Sequence, residues 1–152
     1  MEQPVVRVMR DAGADPSLPL PSYETAGAAG ADVRADLGGG AVTLAPGERR
    51  IIPTGLRVQI PEGWEIQIRP RSGLALKSGL SLLNTPGTID SDYRGPLGVL
   101  MINHDSQPQV IAHGERIAQL IVAPAPQARF ELVPTLEDSD RGQGGFGSTG
   151  RG

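Results

Sequence analysis

The sequence predicts an all-β sandwich or barrel, and three observations carry that expectation. Short runs alternate apolar and polar residues with period two. Turn residues break the runs at roughly the 8–12-residue spacing of sandwiches and barrels; the 152 residues include 21 glycines and 14 prolines. Only one short stretch reads as helical.

Taken in order, residues 5–9 (VVRVM) open the chain as a strand. Residues 42–44 and 49–52 follow on either side of the turn Ala45-Pro46-Gly47. In residues 55–60, Leu56, Val58 and Ile60 alternate with Arg57 and Gln59, and in residues 64–68, Trp64, Ile66 and Ile68 alternate with Glu65 and Gln67. Residues 72–77 have room for a turn or two of helix, with Ser72 as its cap. Strands are expected again at 97–102, 116–122 and 129–133. Beyond residue 134 periodicity disappears, so the chain divides into a β domain over residues 1–134 and a flexible C-terminal arm over 135–152.

Composition bounds the function. Hydrophobic residues make up 38% and charged residues 20%, which suits a soluble domain able to bury a modest core. No apolar run reaches the ~18 residues of a membrane span, and the start MEQPVVRVMR has no signal-peptide layout. With no cysteine, disulfides and thiolate metal sites are excluded and a cytoplasmic location is expected. A formal charge of -3 gives no electrostatic basis for nucleic-acid binding. Aromatics are scarce, at 3%, so the core is thin, and burial between subunits would supplement it.

Chemistry gathers in a few turn-rich stretches. In PRSGLALKSGL (70–80), Pro70 and Gly73 bracket Arg71 and Ser72 where a strand gives way to a helix start, a setting that suits a phosphate but equally an ordinary capped turn. Lys77-Ser78 imitates the end of a phosphate-binding P-loop, yet Leu76 and Arg71 occupy the glycine positions, so that reading fails. In LNTPGTIDSDYRG (83–95), Asn84 offers a donor and an acceptor for a base edge, Asp90 or Asp92 can deprotonate a water, and Tyr93 can lie against a sugar. AGADVRADL (29–37) isolates Asp32 among small residues, and HGERIAQLIV (113–122) carries Arg116 and Gln119 on a strand. The tail RGQGGFGSTG (141–150) keeps one of only two phenylalanines in a segment with no core to bury it. Each stretch alone is matched by a bland alternative of capped turns, hairpin asparagines and a solubilising tail.

Together, in order and spacing, the five segments AGADVRADL, PRSGLALKSGL, LNTPGTIDSDYRG, GERIAQLIV and RGQGGFGSTG resemble the five motifs of the trimeric dUTPase family, over nearly the whole chain from about residue 18. The resemblance implies a β jelly roll assembled as a homotrimer, with active sites at subunit interfaces. It implies Mg2+-dependent hydrolysis of dUTP to dUMP and pyrophosphate, limiting uracil incorporation into DNA and supplying the thymidylate precursor. By motif match, Asn84 and the main chain of the hairpin over 84–98 (Thr88, Ile89 and Gly98 included) read uracil. Tyr93 packs on the deoxyribose and Asp90 activates the water. Arg71, Ser72, Gly73 and Gln119 meet the phosphates, and Asp32 holds the hydrated metal through water. Arg141, Phe146, Gly147, Ser148 and Thr149 belong to a lid: Phe146 covers the base while Arg141, the hydroxyls and nearby N–H groups wrap the γ-phosphate. No role is implied for Arg94 or Pro96. Two alternatives compete, a dCTP deaminase on the same fold and a non-catalytic nucleotide-binding module. The absence of any Glu between Leu80 and Asn103 disfavours the first; Asp90 and the tail disfavour the second.

Overall fold

The computed structural model describes residues 2–152. It contains eleven strands and one short helix. The strands are β1 (Arg7–Arg10), β2 (Ala31–Arg34), β3 (Ala41–Leu44), β4 (Arg49–Pro53), β5 (Leu56–Gln59), β6 (Trp64–Arg69), β7 (Leu80–Leu82), β8 (Gly87–Ile89), β9 (Gly98–Asn103), β10 (Gln109–Ala112) and β11 (Arg116–Pro124). The helix α1 spans Ser72–Ser78 between β6 and β7.

All pairings are antiparallel and make four sheets, β2-β11-β6-β8, β4-β9-β7, β1-β5 and β3-β10. The expected all-β class is what the chain adopts. Alternation explains the burial. In β6, Ile66 and Ile68 point inward while Gln67 and Arg69 do not, and in β9 Val99, Met101 and Asn103 are the buried members. The core is aliphatic, with Leu44, Ile52, Val99, Met101 and Ile111 completely shielded from solvent. Trp64 packs only partly against it. Two polar side chains are buried, and both are paired. The Thr54 hydroxyl donates to the Leu97 carbonyl at 2.7 Å. The Asn103 amide donates to the carbonyls of Leu44 and Gln107 and accepts from the Asp105 N–H.

Several expectations need correction. Residues 129–133 form no strand. Phe130 and Leu132 are fully exposed, and no neighbouring strand offers a ladder. β2, β7, β8 and β10 were not anticipated, and β5 is shorter than residues 55–60. Nor is Ser72 the cap. Arg71, extended at φ -96 and ψ 130, is the N-cap without a side-chain cap bond, and Ser72 is the first helical residue. The helix ends at Gly79 (φ 63), where a Cβ would lie 2.8 Å from the Asp105 amide nitrogen, so both conformation and space demand glycine.

One irregularity matters for the site. The β11–β2 register shifts between Arg116 and Ala118. This bulge lets Ile117 and Ala118 both enter the core. It also brings Arg116 into line with Arg34 and keeps Gln119 opposite Asp32, so these polar residues share one face.

Candidate active site

The segment from β7 through β9 builds a cavity of about 340 Å³. Its polar lining includes Asn84, Thr88, Asp90 and Tyr93, and Ile68, Leu97 and Leu100 contribute apolar wall. Gly87 and Gly98 keep it open. A Cβ at residue 98 would approach the Ile51 side chain to 2.6 Å, and one at 87 would lie 3.3 Å from the Asn84 amide nitrogen. Ile89 lines the same cavity from β8. The structure thus gathers Asn84, Thr88, Ile89, Asp90, Tyr93 and Gly98 around one hollow large enough for a flat ring and a sugar.

The two acids of the turn differ in placement. Asp90 borders both this cavity and a wider cleft running past Gln59, Trp64 and Glu65, whereas Asp92 faces only the cleft. Asp90 therefore lines the hollow and Asp92 does not. The turn that holds them is braced by residues to which the motifs gave no role. Arg94 donates to the carbonyls of Ser91 (2.7 Å) and Tyr93 (2.9 Å), and the Tyr93 N–H bonds back to the Asp90 carbonyl at 3.2 Å. Arg57, ion-paired to Asp11, reaches the Arg94 carbonyl at 3.1 Å. The Tyr93 hydroxyl donates to the Pro96 carbonyl at 2.9 Å.

A second group lies along β11 and the start of α1. Asp32, nearly enclosed with 12% of its side chain exposed, accepts a hydrogen bond from Arg116 at 3.1 Å on one oxygen and is ion-paired with Arg71 at 3.4 Å through the other. Arg71 also donates to the Arg116 carbonyl at 3.3 Å. Glu24 stands 3.6 Å from Arg116. Gln119 donates to the Pro70 carbonyl at 3.0 Å, tying β11 to the bend that delivers Arg71, Ser72 and Gly73. Gly30 makes this reach feasible, since a Cβ there would lie 2.3 Å from the Gln119 side-chain oxygen. Ser72 and Gly73 are exposed at the helix start. The result is an anchored guanidinium beside exposed backbone and hydroxyl donors, chemistry that suits an anion.

Within the chain these two groups hang on opposite sides of β6, one on β8 and the other on β11. The tail joins neither. Arg141 donates to the Gly144 carbonyl, and the bonds of Gly142, Gly144, Ser148 and Gly150 are likewise local. Phe146 is fully exposed and sits at φ 49, a left-handed conformation uncommon outside glycine, beside Gly147 at φ 83. Thr149 and Ser148 are exposed with it.

A third cluster, joining Asp15 to the ends of the AGADVRADL and HGERIAQLIV stretches, fastens the N-terminal segment. His113 accepts the Leu37 N–H on Nδ1 and meets Asp15 at 2.7 Å through Nε2, while Asp36 accepts the Asp15 N–H at 2.8 Å. Bonds from the Ser17 hydroxyl and from His113 hold the Asp15 carboxyl down to about 2.

Known proteins resemble this arrangement throughout. A family model described as dUTPase matches residues 17–150. A deoxyuridine 5'-triphosphate nucleotidohydrolase of Roseobacter denitrificans is 64% identical over 138 residues, covering 91% of each chain. One of Dinoroseobacter shibae is 59% identical over 152 residues, covering 97% of this chain and 98% of its own. Among solved structures, a G164S mutant of the Staphylococcus bacteriophage 80alpha dUTPase with dUpNHpp superposes with TM-score 0.84 at 27% identity, covering 97% of this chain and 99% of its own. Matched from residue 17 to residue 150, with the motif residues seated as described, the chain belongs to the dUTPase family, the deoxyuridine 5'-triphosphate nucleotidohydrolases.

Proposed function

We propose that the protein hydrolyses dUTP to dUMP and pyrophosphate. The observation that carries this reading is one cavity lined by Asn84, Asp90 and Tyr93, a lining that excludes Asp92. Asn84 and the main chain around Thr88, Ile89 and Gly98 read the uracil edge. Tyr93 stacks on the deoxyribose and crowds the 2′ position. Asp90 takes a proton from water as the oxygen attacks the α-phosphorus. The bond to the α–β bridging oxygen breaks, and pyrophosphate departs.

Arg71, Ser72, Gly73 and Gln119 meet the phosphates. A triphosphate brings about four negative charges, so neutralisation dominates this chemistry. Among the described residues, no three His, Cys, Asp or Glu side chains cluster into a protein metal cage. Asp32, with one guanidinium on each oxygen, keeps lone pairs free for water. This donor set fits Mg2+ that arrives on the triphosphate and meets the chain through water at Asp32. When bound, Mg2+ offsets phosphate charge.

The uracil pocket and the phosphate group lie on opposite sides of β6, and the tail touches neither, which favours a homotrimer whose sites form between subunits. In that assembly the jelly-roll domain (1–134) is the scaffold and the arm (135–152) is the lid. Phe146 covers the base, while Arg141, Gly147, Ser148 and Thr149 wrap the γ-phosphate. Glycines at 142, 144, 145 and 147 let this backbone travel and approach closely. Among the described residues, no helix is long and apolar enough to cross a membrane. The reaction belongs in the cytoplasm, where it would limit uracil in DNA and supply dUMP for thymidylate.

The test is direct. Incubation with dUTP, UTP and dCTP in Mg2+, followed by separation of products, should give dUMP and pyrophosphate from dUTP. Release of ammonia from dCTP would favour the deaminase instead, and binding without turnover would leave a nucleotide-binding module.

A further inference from the structure

Gly95 follows the catalytic turn and touches no motif function. Among the described residues eleven other glycines lie at positive φ, but Gly95 does not, so its backbone would accept an L side chain. What it provides is space. A Cβ at residue 95 would lie 2.4 Å from the Tyr93 hydroxyl oxygen, 2.6 Å from Cζ and 2.8 Å from Cε2. All three of its nearest neighbours are atoms of that one ring. The phenol is folded back over the Gly95 Cα and pinned there by its bond to the Pro96 carbonyl at 2.9 Å. Arg94 and Arg57 hold the intervening backbone from the other side.

We propose that Gly95 is a specificity-determining positioning residue, the seat that holds the Tyr93 ring where it excludes a ribose 2′-hydroxyl. The inference rests on the dUTPase reading for its substrate, though the ring's dependence on Gly95 is independent of it. Alanine at 95 leaves the backbone unstrained and must displace the ring, because a tyrosine side chain can rotate away while the braced main chain cannot. None of the three atoms nearest that Cβ belongs to Asn84 or Asp90. Loss should therefore fall on sugar discrimination and substrate binding, not on the chemical step.

The experiment is a double-mutant cycle of Gly95→Ala and Tyr93→Ala, with dUTP and UTP as substrates and thermal unfolding as a control. Gly95→Ala should lower the preference for dUTP over UTP at least about tenfold and raise KM for dUTP about five- to twentyfold, with kcat within about threefold. In the Tyr93→Ala background the same change should have no further effect, since no ring remains to displace. If Gly95→Ala costs as much without Tyr93 as with it, glycine serves the backbone and the proposal is overturned. Unchanged discrimination in a folded Gly95→Ala protein overturns it equally. A wild type inactive on dUTP would instead remove the dUTPase reading. A crystal structure of Gly95→Ala would then still decide the matter, with the ring swung off the Pro96 carbonyl in support and the ring unmoved against.

Discussion

Replacing Asp32 by Asn tests the anchoring of Arg71 with almost no change of shape. The carboxylate bridges Arg116 at 3.1 Å and Arg71 at 3.4 Å, and the three side chains are 12%, 36% and 27% exposed. A hydrogen bond to a charged group contributes roughly 1.5–3 kcal/mol when shielded. Solvent reaches both guanidinium groups and weakens each pair, so we expect about 2 kcal/mol for the two together. In Asp32→Asn one oxygen becomes an NH2 that points a donor at a cation, and two guanidinium groups lose their shared counter-charge. At ~2–4 °C per kcal/mol for a chain of this size, the unfolding midpoint should drop by about 4–8 °C. Salt at ~1 M should shrink the difference, because screening weakens the pairs in the wild type.

The same variant separates two roles for Asp32 in turnover. If it acts by holding Arg71, kcat/KM for dUTP should fall about 10–100-fold while the Mg2+ concentration for half-maximal rate stays put. A water-mediated hold on Mg2+ would instead shift that concentration upward. Differential scanning fluorimetry and a Mg2+ titration at fixed dUTP supply both readings. A midpoint within about 1 °C of wild type would refute the ion-pair argument.

Three further outcomes follow from the same geometry. Asp90→Asn should cut turnover by about 10²-fold or more while dUTP still binds; near-normal turnover would transfer the role of base to Asp92 despite its facing the other cleft. Deleting residues 141–152 should leave the melting temperature and assembly unchanged, since their bonds are local, yet abolish most turnover, with Phe146→Ala milder because base stacking contributes only ~1–3 kcal/mol. Asp15 titrates at about 2 in the fold against an ordinary 3.8, so native protein favours its charged form. Its stabilisation is full above the ordinary value and is lost as pH falls from near 4 toward 2, a slope that Asp15→Asn should flatten in urea melts at stepped pH.

Much of the architecture was legible because period-two alternation of large aliphatic residues leaves little choice, as in Ile66-Gln67-Ile68 or Leu56-Arg57-Val58. β7 and β8 were not, being three residues each, and β2 was masked by its small residues. Residues 129–133 show the converse. Alternation there says that two faces differ, but a strand also needs a partner, and Phe130 and Leu132 have none. The polar lining of the hollow could be read because Asn84, Thr88, Asp90 and Tyr93 come from one continuous stretch of chain. The bracing could not. Arg94 matters through carbonyls that only a folded turn presents, Gly95 through a ring two residues away, and His113 through an acid 98 positions earlier.

The distribution of rigidity follows from what each part must do in the proposed reaction. Choosing uracil over cytosine depends on a donor and an acceptor held to within a fraction of an ångström. Asn84 lines the hollow just before β8, and across it Tyr93 sits in a turn whose Ser91 and Tyr93 carbonyls are held by Arg94 and whose Arg94 carbonyl is held by Arg57, paired with Asp11. Gripping a triphosphate demands charge at a fixed point, and Arg71 gains it from Asp32 and the Arg116 carbonyl. Admitting and releasing a nucleotide demands the opposite property. Arg141 and Phe146 are accordingly carried by a glycine-rich segment whose bonds span three residues, with Phe146 in a left-handed conformation that contributes nothing to a core. A lid built with the bracing of the 90–96 turn would bind its product as firmly as its substrate. A uracil pocket as loosely held as the tail would lose the geometry on which discrimination rests. The bulge in β11 connects these demands, since it turns Arg116 onto the face of Asp32 and so lets a core strand fix the one guanidinium that must not move.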